Sequence, residues 1–180
     1  MVDISKALGI HGWMSEDELK YLASIANKNK CIAEIGAWKG RTSVAIATNT
    51  DGELNTVDTW NGSDEAEHIN ELRQHGENWL YDEFMKNVDG LNVIPHRMTS
   101  LEAAEKFSKE GKVFDMIFID ASHDYENVKA DILAWMPLLK EDGILCGHDY
   151  NQGWPGVIKA VEETVPKFKI AAGAIWTTEK

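Results

Sequence analysis

The segment Ile32-Ala33-Glu34-Ile35-Gly36-Ala37-Trp38-Lys39-Gly40-Arg41-Thr42-Ser43 joins a short apolar run to two glycines that stand four positions apart. Residues suited to the start of a helix follow the second glycine. Glycine lacks a Cβ and tolerates positive φ, so a strand can turn sharply here and present backbone N–H groups beside a helix N-terminus. The segment therefore predicts a ligand-binding loop between a strand and a helix.

The spacing of the two glycines narrows the class of ligand. The pattern reads Glu-x-Gly-x-x-x-Gly from Glu34 to Gly40, whereas dinucleotide-binding loops read Gly-x-Gly-x-x-Gly and accommodate a pyrophosphate. The additional carboxylate suits a ligand that carries a cationic amine and no phosphate at this point. A nicotinamide-dependent dehydrogenase is therefore disfavoured.

Composition excludes several classes of protein. A chain of 180 residues can bury roughly 70% of its unfolded surface in one core, so we expect a single domain over residues 1–180. The formal charge of −12 would repel a phosphate backbone, which argues against nucleic acid as a partner. No apolar run approaches the roughly 18 residues of a membrane span, and no signal peptide is recognisable, so we expect a cytoplasmic protein without a membrane partner.

Strand and helix patterns alternate along the whole chain. Apolar runs predict strands over 31–35, 54–58, 92–95, 114–120 and 144–147, and the tail 170–178 adds one or two more. Capping boxes and helical stripes predict helices over 15–26, 42–48, 99–109, 125–139 and 155–165. This alternation is typical of an α/β, Rossmann-like fold: a mostly parallel sheet of about seven strands with helices on both faces.

Two segments fall outside this alternation. The pattern of residues 1–29 predicts an N-terminal helical cap. Residues 60–90 connect the second and third predicted strands and are more numerous than a crossover between strands needs. We interpret the long connection as a candidate substrate lid, with an ordinary helical crossover as the alternative.

Polar residues gather where the predicted strands end. In open α/β sheets this edge binds ligands, and the residues concerned are Glu34, Asp58, Thr99, Ser100, Asp120, His123, His148 and Asp149. Asp58 follows Glu34 by 24 residues, which is close to the spacing at which a carboxylate accepts both hydroxyl protons of a ribose. A nucleoside is the implied ligand.

With these residues in view, the chain resembles the class I S-adenosylmethionine-dependent methyltransferases over about residues 30 to 165. It is most similar to a small bacterial group, on the segments Phe118-Ile119-Asp120-Ala121-Ser122-His123-Asp124-Tyr125, Gly147-His148-Asp149-Tyr150 and Trp154-Pro155-Gly156-Val157. The resemblance implies cofactor contacts at three places. The methionine part would lie against Glu34, Gly36, Ala37, Trp38, Gly40 and Thr42, the ribose on Asp58, and the adenine beside Thr59, Trp60, Thr99 and Ser100. Asp120 is a further cofactor-binding residue that the resemblance implies.

The ends of the fourth and fifth strands are similar to those of the metal-dependent, catechol-type O-methyltransferases. This similarity implies a divalent cation on Asp120, His148 and Asp149, although His148 stands where that family has a hard oxygen ligand. An imidazole shifts metal preference from Mg²⁺ toward Mn²⁺, Fe²⁺ or Zn²⁺, so the metal stays open. His123 stands where those enzymes carry a catalytic lysine, which implies a general base, with Asp120 as the second catalytic residue.

The resemblance implies methyl transfer to the hydroxyl of a small molecule such as a sugar or a phenol. Oxygen is preferred because Ala121-Ser122-His123 replaces the Asn-Pro-Pro-aromatic motif of amino-group methyltransferases. A non-catalytic cofactor-binding module, or a subunit of a glycan-modifying assembly, is the alternative function. A chain of this length has little room for a closed lid, so we expect a second subunit of a homo-oligomer to help cover the site.

Several of these residues also have purely structural interpretations. The two glycines suit any tight turn, Asp58 and Asp120 suit helix caps, and His148-Asp149 suits a buried hydrogen bond. Trp38 and Trp60 stand at the edge of the predicted loops, where contact with a ligand is expected.

Overall fold

The computed structural model describes residues 1–62, 70, 74–76 and 78–179, and seven α-helices and seven β-strands have both of their ends within these residues. The helices are α1 (Ser5–Leu8), α2 (Glu16–Ala26), α3 (Arg41–Thr48), α4 (Trp79–Val88), α5 (Ser100–Lys109), α6 (Tyr125–Trp135) and α7 (Pro155–Thr164). The strands are β1 (Cys31–Ile35), β2 (Glu53–Asp58), β3 (Val93–Arg97), β4 (Phe114–Ile119), β5 (Leu139–Gly147), β6 (Phe168–Ala172) and β7 (Ile175–Thr178).

The strands form one sheet in the order β3-β2-β1-β4-β5-β7-β6. The five strands β1 to β5 are parallel, and β7 pairs antiparallel with both β5 and β6. The chain runs outward from β1 to β3 and then returns to add β4 on the other side of β1. Ligands bind at such a reversal in open α/β sheets, so the carboxyl ends of β1 and β4 mark the place to look for a site.

Two hydrophobic cores lie on opposite faces of the sheet, because successive side chains of a strand point to opposite faces. One core joins the sheet to α1–α4 through residues such as Leu19, Val44 and Phe84. The other joins it to α5–α7 through Phe107 and Ile132, among others. The predicted fold class, a mostly parallel Rossmann-like sheet with helices on both faces, is confirmed.

The N-terminal segment is attached to the loop helix α3 through one side chain. The guanidinium of Arg41 donates to the carbonyl oxygens of Ile10 at 2.6 Å and Met14 at 3.1 Å, with longer bonds to Ala7 and Leu8. Because backbone carbonyls from four positions converge on one charged group, the first turns of the chain are fixed next to the predicted ligand loop.

Two predicted boundaries differ from the structure. The helical stripe after Tyr125 ends at Trp135, since Pro137 cannot continue an α-helix and residues Met136–Leu138 form a 3₁₀ turn. Strand β5 starts at Leu139 instead of 144, because Leu139 already pairs with Phe114 of β4. The next pair is Ile144 with Met116, so β5 moves on by five residues where β4 moves on by two. The pair Asp142-Gly143, a sequence typical of turns, therefore lies inside a bulged strand.

Part of the predicted lid over 60–90 lies outside the described residues, namely 63–69, 71–73 and 77. The described part includes α4, which buries Leu80, Phe84 and Val88 against the sheet as its sequence pattern predicts. Along the stretches of chain with a described structure, no helix combines the length and the apolar character needed to cross a membrane.

Candidate active site

The glycine loop between β1 and α3 lies directly against the end of β4. Gly36 has φ +88°, and a Cβ at this position would stand 2.1 Å from the carbonyl oxygen of Asp120. Gly40, which precedes α3, has φ +87°. A side chain at Gly36 would push the loop away from β4, so this glycine is needed for the two strand ends to meet.

Asp58 fixes the shape of this loop. Its Oδ2 accepts backbone N–H bonds from Ala37 at 2.8 Å and Trp38 at 3.0 Å, and its Oδ1 accepts one from Trp60 at 2.7 Å. Trp38 and Trp60 both adopt positive φ, near +50°, and these bonds stabilise that conformation. A carboxylate offers about four acceptor positions, so Asp58 keeps capacity on Oδ1 for a ligand hydroxyl. Its ribose role stays a prediction.

Glu34 lies fully buried beneath the loop. Its Oε2 accepts hydrogen bonds from the hydroxyls of Ser43 and Thr56, whereas its Oε1 is buried without a hydrogen-bond partner among the described residues. The pKa of Glu34 is raised to about 8, mainly by burial and in part by the charges of Asp120 and Asp58, although the two hydroxyl bonds lower it. A buried, unpartnered carboxylate oxygen is costly, and a cationic ligand group would relieve that cost.

A second group of side chains stands at the ends of β4 and β5. Asp120, His123 and Asp149 each offer a ligand atom within 4.8 Å of the others, and His123 Nε2 lies 2.9 Å from Asp149 Oδ2. Burial raises the pKa of Asp120, with the Asp149 charge adding to it, while the two neighbouring histidines oppose the rise. Burial would also raise the pKa of Asp149, but hydrogen bonds from His123 and His148 bring it well below its usual range.

His148 lies next to this group but is engaged differently. Its Nε2 donates to Glu18 Oε1 at 3.0 Å, and its Nδ1 lies 3.3 Å from Asp149 Oδ1 and 3.7 Å from Asp120 Oδ1. Burial alone would lower the pKa of His148, yet the hydrogen bonds to Asp149 and Glu18 raise it to about 10. A protonated imidazole has no lone pair for a metal. The ligand atoms of Asp120, His123 and Asp149 are the ones that lie close together among the described residues, and the role of His148 as a metal ligand stays a prediction.

The indole of Trp154 covers His123. The two rings stack with centroids 3.9 Å apart and planes inclined by 23°, and Trp154 remains 36% exposed. The turn before it is closed by Asn151, whose Oδ1 accepts the N–H of Gly153, and Pro155 starts α7 directly after it. These local features fix an aromatic face beside the imidazole.

Trp60, predicted to contact the cofactor, lies in the core instead. Its side chain is fully buried, its Nε1 donates to the carbonyl oxygen of Trp38, and its ring packs on Tyr81 and Phe84. The bond from its N–H to Asp58 keeps its backbone at the site. The indole itself is directed inward because α4 supplies an aromatic pocket for it.

Four further predicted residues use their side chains within the fold. Thr42 is buried on α3, Thr59 Oγ1 accepts the N–H of Asn61, and Thr99 forms a capping box with Glu102. The hydroxyl of Ser100 donates to Asp131 and accepts from Trp135 Nε1. Their predicted roles at the cofactor stay predictions.

Two residues at the site were missed from the sequence. Glu18 was interpreted only as part of a capping box, and Trp154 only as part of a family segment. The sequence did contain a signal for Trp154: it follows a glycine in a turn and precedes a proline that starts a helix, so it had to lie near the end of β5. No local signal pointed to Glu18, because His148 is 130 positions away.

A family model described as a methyltransferase domain matches residues 33–150, which is well over half of the chain. The chain belongs to this methyltransferase family. The resemblance to S-adenosylmethionine-dependent methyltransferases found in the sequence is thereby confirmed, and the matched range contains the glycine loop and both strand ends of the site.

Solved structures share the fold of this methyltransferase at low sequence identity. An O-methyltransferase from Bacillus cereus, solved in complex with SAH, superposes with a TM-score of 0.64 at 17% identity, covering 98% of this chain and 90% of that one. The calicheamicin methyltransferase CalS11 gives 0.65 at 14% identity, covering 92% and 80%. A structure titled precorrin 8W decarboxylase, from Methanobacterium thermoautotrophicum, gives 0.65 at 11%, covering 96% and 95%. The search of curated proteins returned no match.

Proposed function

We propose that this methyltransferase transfers the sulfonium methyl group of S-adenosylmethionine to a hydroxyl of a small, ring-shaped acceptor. The observation that carries the proposal is the contact between Gly36 and the backbone of Asp120. Through this contact, the loop suited to a cationic ligand and the carboxylate–imidazole group share one edge of the sheet. Two reactants held there would lie next to each other, and such positioning can supply roughly 7 to 11 kcal/mol of a reaction barrier.

The residues around the loop fit S-adenosylmethionine, which supplies a methyl group on a positively charged sulfur when bound. Glu34 Oε1 needs a cationic or donating partner, and Asp58 retains an acceptor position. The proposed cofactor residues are Glu34, Gly36, Ala37, Trp38, Gly40, Thr42, Asp58, Thr59, Thr99, Ser100 and Asp120, with Trp60 through its backbone. The SAH complex of the structurally similar Bacillus cereus enzyme supports this choice of ligand.

His123 is the proposed general base. An ionised Asp149 can only accept, so the short contact at 2.9 Å requires a proton on His123 Nε2, and in the neutral imidazole the lone pair is then on Nδ1. Nδ1 would take the proton of the acceptor hydroxyl, and Asp149 would stabilise the resulting imidazolium. Burial favours the neutral form of Asp120, and the positive charge of the imidazolium would favour its ionised form.

Asp120, His123 and Asp149 also fit a divalent cation, since two carboxylates and one imidazole suit Mn²⁺ or Mg²⁺. Such an ion would lower the pKa of an acceptor hydroxyl when bound. An ion that binds His123 removes it as a base, so metal content and the role of His123 are tested together.

The exposed face of Trp154 supports a ring-shaped acceptor, because sugar and phenol rings both pack on indole. One of the structural neighbours, CalS11, is described as a TDP-rhamnose 3'-O-methyltransferase, which favours a sugar. The cytoplasmic location, the single domain with a lid over 60–90, the absence of a nucleic-acid partner and a homo-oligomeric state stay predictions.

The test is a two-step measurement on the purified protein. Calorimetry with S-adenosylmethionine comes first, followed by incubation with catechols and with free and nucleotide-linked sugars, each with and without Mn²⁺ or Mg²⁺. Mass spectrometry should detect one added methyl group on a hydroxyl of at least one ring acceptor. Cofactor binding without turnover on any acceptor would favour the alternative, a non-catalytic cofactor-binding module or a subunit of a glycan-modifying assembly.

A further inference from the structure

Glu18, on the N-terminal helix α2, connects three distant parts of the chain. Its carboxylate accepts the backbone N–H of Ser15 at 2.8 Å, the backbone N–H of Ala174 at 2.8 Å and the Nε2–H of His148 at 3.0 Å. The residue is 5% exposed, and it precedes the range matched by the methyltransferase family model, 33–150.

The turn between β6 and β7 is shaped around this carboxylate. Gly173 has φ +53°, and a Cβ there would stand 2.3 Å from Glu18 Oε1. Only glycine leaves room for the carboxylate and adopts this conformation without strain. The next residue, Ala174, then donates its N–H to the same oxygen. The carboxylate is thus held in one position from two sides, by α2 and by the turn.

A continuous series of polar contacts leads from Glu18 to His123. His148 donates from Nε2 to Glu18, and its Nδ1 lies 3.3 Å from Asp149 Oδ1. Asp149 contacts His123 through its other oxygen, Oδ2, at 2.9 Å. Asp149 has φ +63°, a conformation that is strained for a non-glycine residue and needs support from its surroundings.

We propose that Glu18 is a positioning residue: by orienting His148, it fixes Asp149 and thereby the imidazole of His123. This proposal rests on the proposed function only where it names His123 as the base. Under this proposal the N-terminal cap, including α2, both packs on the sheet and helps to position a catalytic residue.

The test compares Glu18→Ala and Glu18→Gln with Ser15→Ala. The Ser15→Ala change removes the capping hydroxyl from the same helix turn but leaves the bond between Glu18 and His148 in place. The rate of modification of His123 by diethyl pyrocarbonate is followed by peptide mass spectrometry at one pH, relative to exposed His75 in the same sample. This measurement needs neither cofactor nor acceptor.

Both Glu18 variants should raise the relative rate at His123 at least threefold, because a loosened Asp149 releases the imidazole, while Ser15→Ala stays within twofold of wild type. Equal modification rates in wild type, both Glu18 variants and Ser15→Ala would overturn the proposal. A rise in Ser15→Ala as large as the rise in the Glu18 variants would also overturn it. Should Glu18→Ala fail to fold, Glu18→Gln carries the comparison.

A second readout separates this proposal from the proposed function. With an acceptor found, Glu18→Gln should lower kcat about tenfold and leave KM for S-adenosylmethionine unchanged, whereas an equal change in both would contradict a positioning role. A wild-type protein that binds no S-adenosylmethionine would remove the proposed function, and the modification rates at His123 would still decide the role of Glu18.

Discussion

The loop half of the site and the strand-end half differ in how their charges are held. In the loop half, Glu34 keeps one oxygen without a partner among the described residues, and Asp58 binds backbone N–H groups within its own neighbourhood. In the strand-end half, two imidazoles contact the carboxylates of Asp120 and Asp149. The loop half therefore keeps a buried oxygen that a donating or cationic ligand group can engage, whereas the polar groups of the strand-end half already contact one another.

This difference separates two kinds of function. Changes in the loop half should weaken donor binding, and changes in the strand-end half should lower turnover while the donor still binds.

The largest expected effect comes from His123→Ala. Loss of a general base lowers kcat by about 10²- to 10⁴-fold, and the donor affinity should stay within about twofold of wild type. Steady-state kinetics and calorimetry on the same preparation measure both quantities. A variant with full turnover would remove His123 as the base, and an equally large loss of donor affinity would erase the distinction between the two halves.

Asp58→Ala should have the next largest effect, now on binding. Losing three charge-assisted backbone bonds and the ribose acceptor should weaken S-adenosylmethionine binding about 100-fold, or ~2.7 kcal/mol. Asp115→Ala is the matched control: Asp115 also accepts two backbone N–H bonds, from Lys30 and Cys31, but at the start of β4. If both variants bind the donor as tightly as wild type, Asp58 has no role at the ligand.

Trp154→Ala should raise KM for a ring acceptor about tenfold. The stacking of a planar ring on an aromatic side chain contributes about 1 to 3 kcal/mol, as measured for nucleobases. Donor affinity should not change, and Trp154→Phe should restore most of the loss. An unchanged KM in the alanine variant would place the acceptor elsewhere.

Glu34→Gln should weaken donor binding about tenfold and also change the pH dependence of the free protein. The folded-state pKa of Glu34, about 8, lies above its unfolded value, so its stabilising contribution is complete below the unfolded pKa and is lost as pH rises through 8. The melting temperature of wild type should therefore fall more steeply from pH 6 to 9 than that of Glu34→Gln. Parallel melting curves would show that Glu34 is already ionised in the free protein.

The two halves also differ in how far apart their residues lie along the sequence, and this distance decides what could be predicted. The loop half was predictable because its residues lie within one strand–loop–helix segment and the following strand, where glycine spacing and the acidic positions are local signals. The parallel sheet followed likewise from alternating apolar runs. The burial of the Trp60 indole could not be predicted, because the aromatic pocket on α4 that buries it is a tertiary feature.

The strand-end half was only partly predictable. Asp120, His123 and Asp149 were identified, yet their mutual contacts and the different engagement of His148 depend on Glu18 from the far end of the chain. Contacts between positions 130 apart leave no periodic or spacing signal in a single sequence.

Calorimetric titration with S-adenosylmethionine and with SAH tests the central claim most directly, when wild type, Asp58→Ala and His123→Ala are compared. The account predicts saturable binding of both ligands to wild type and to His123→Ala, and strongly weakened binding to Asp58→Ala. Absence of heat with either ligand in folded wild-type protein would contradict it.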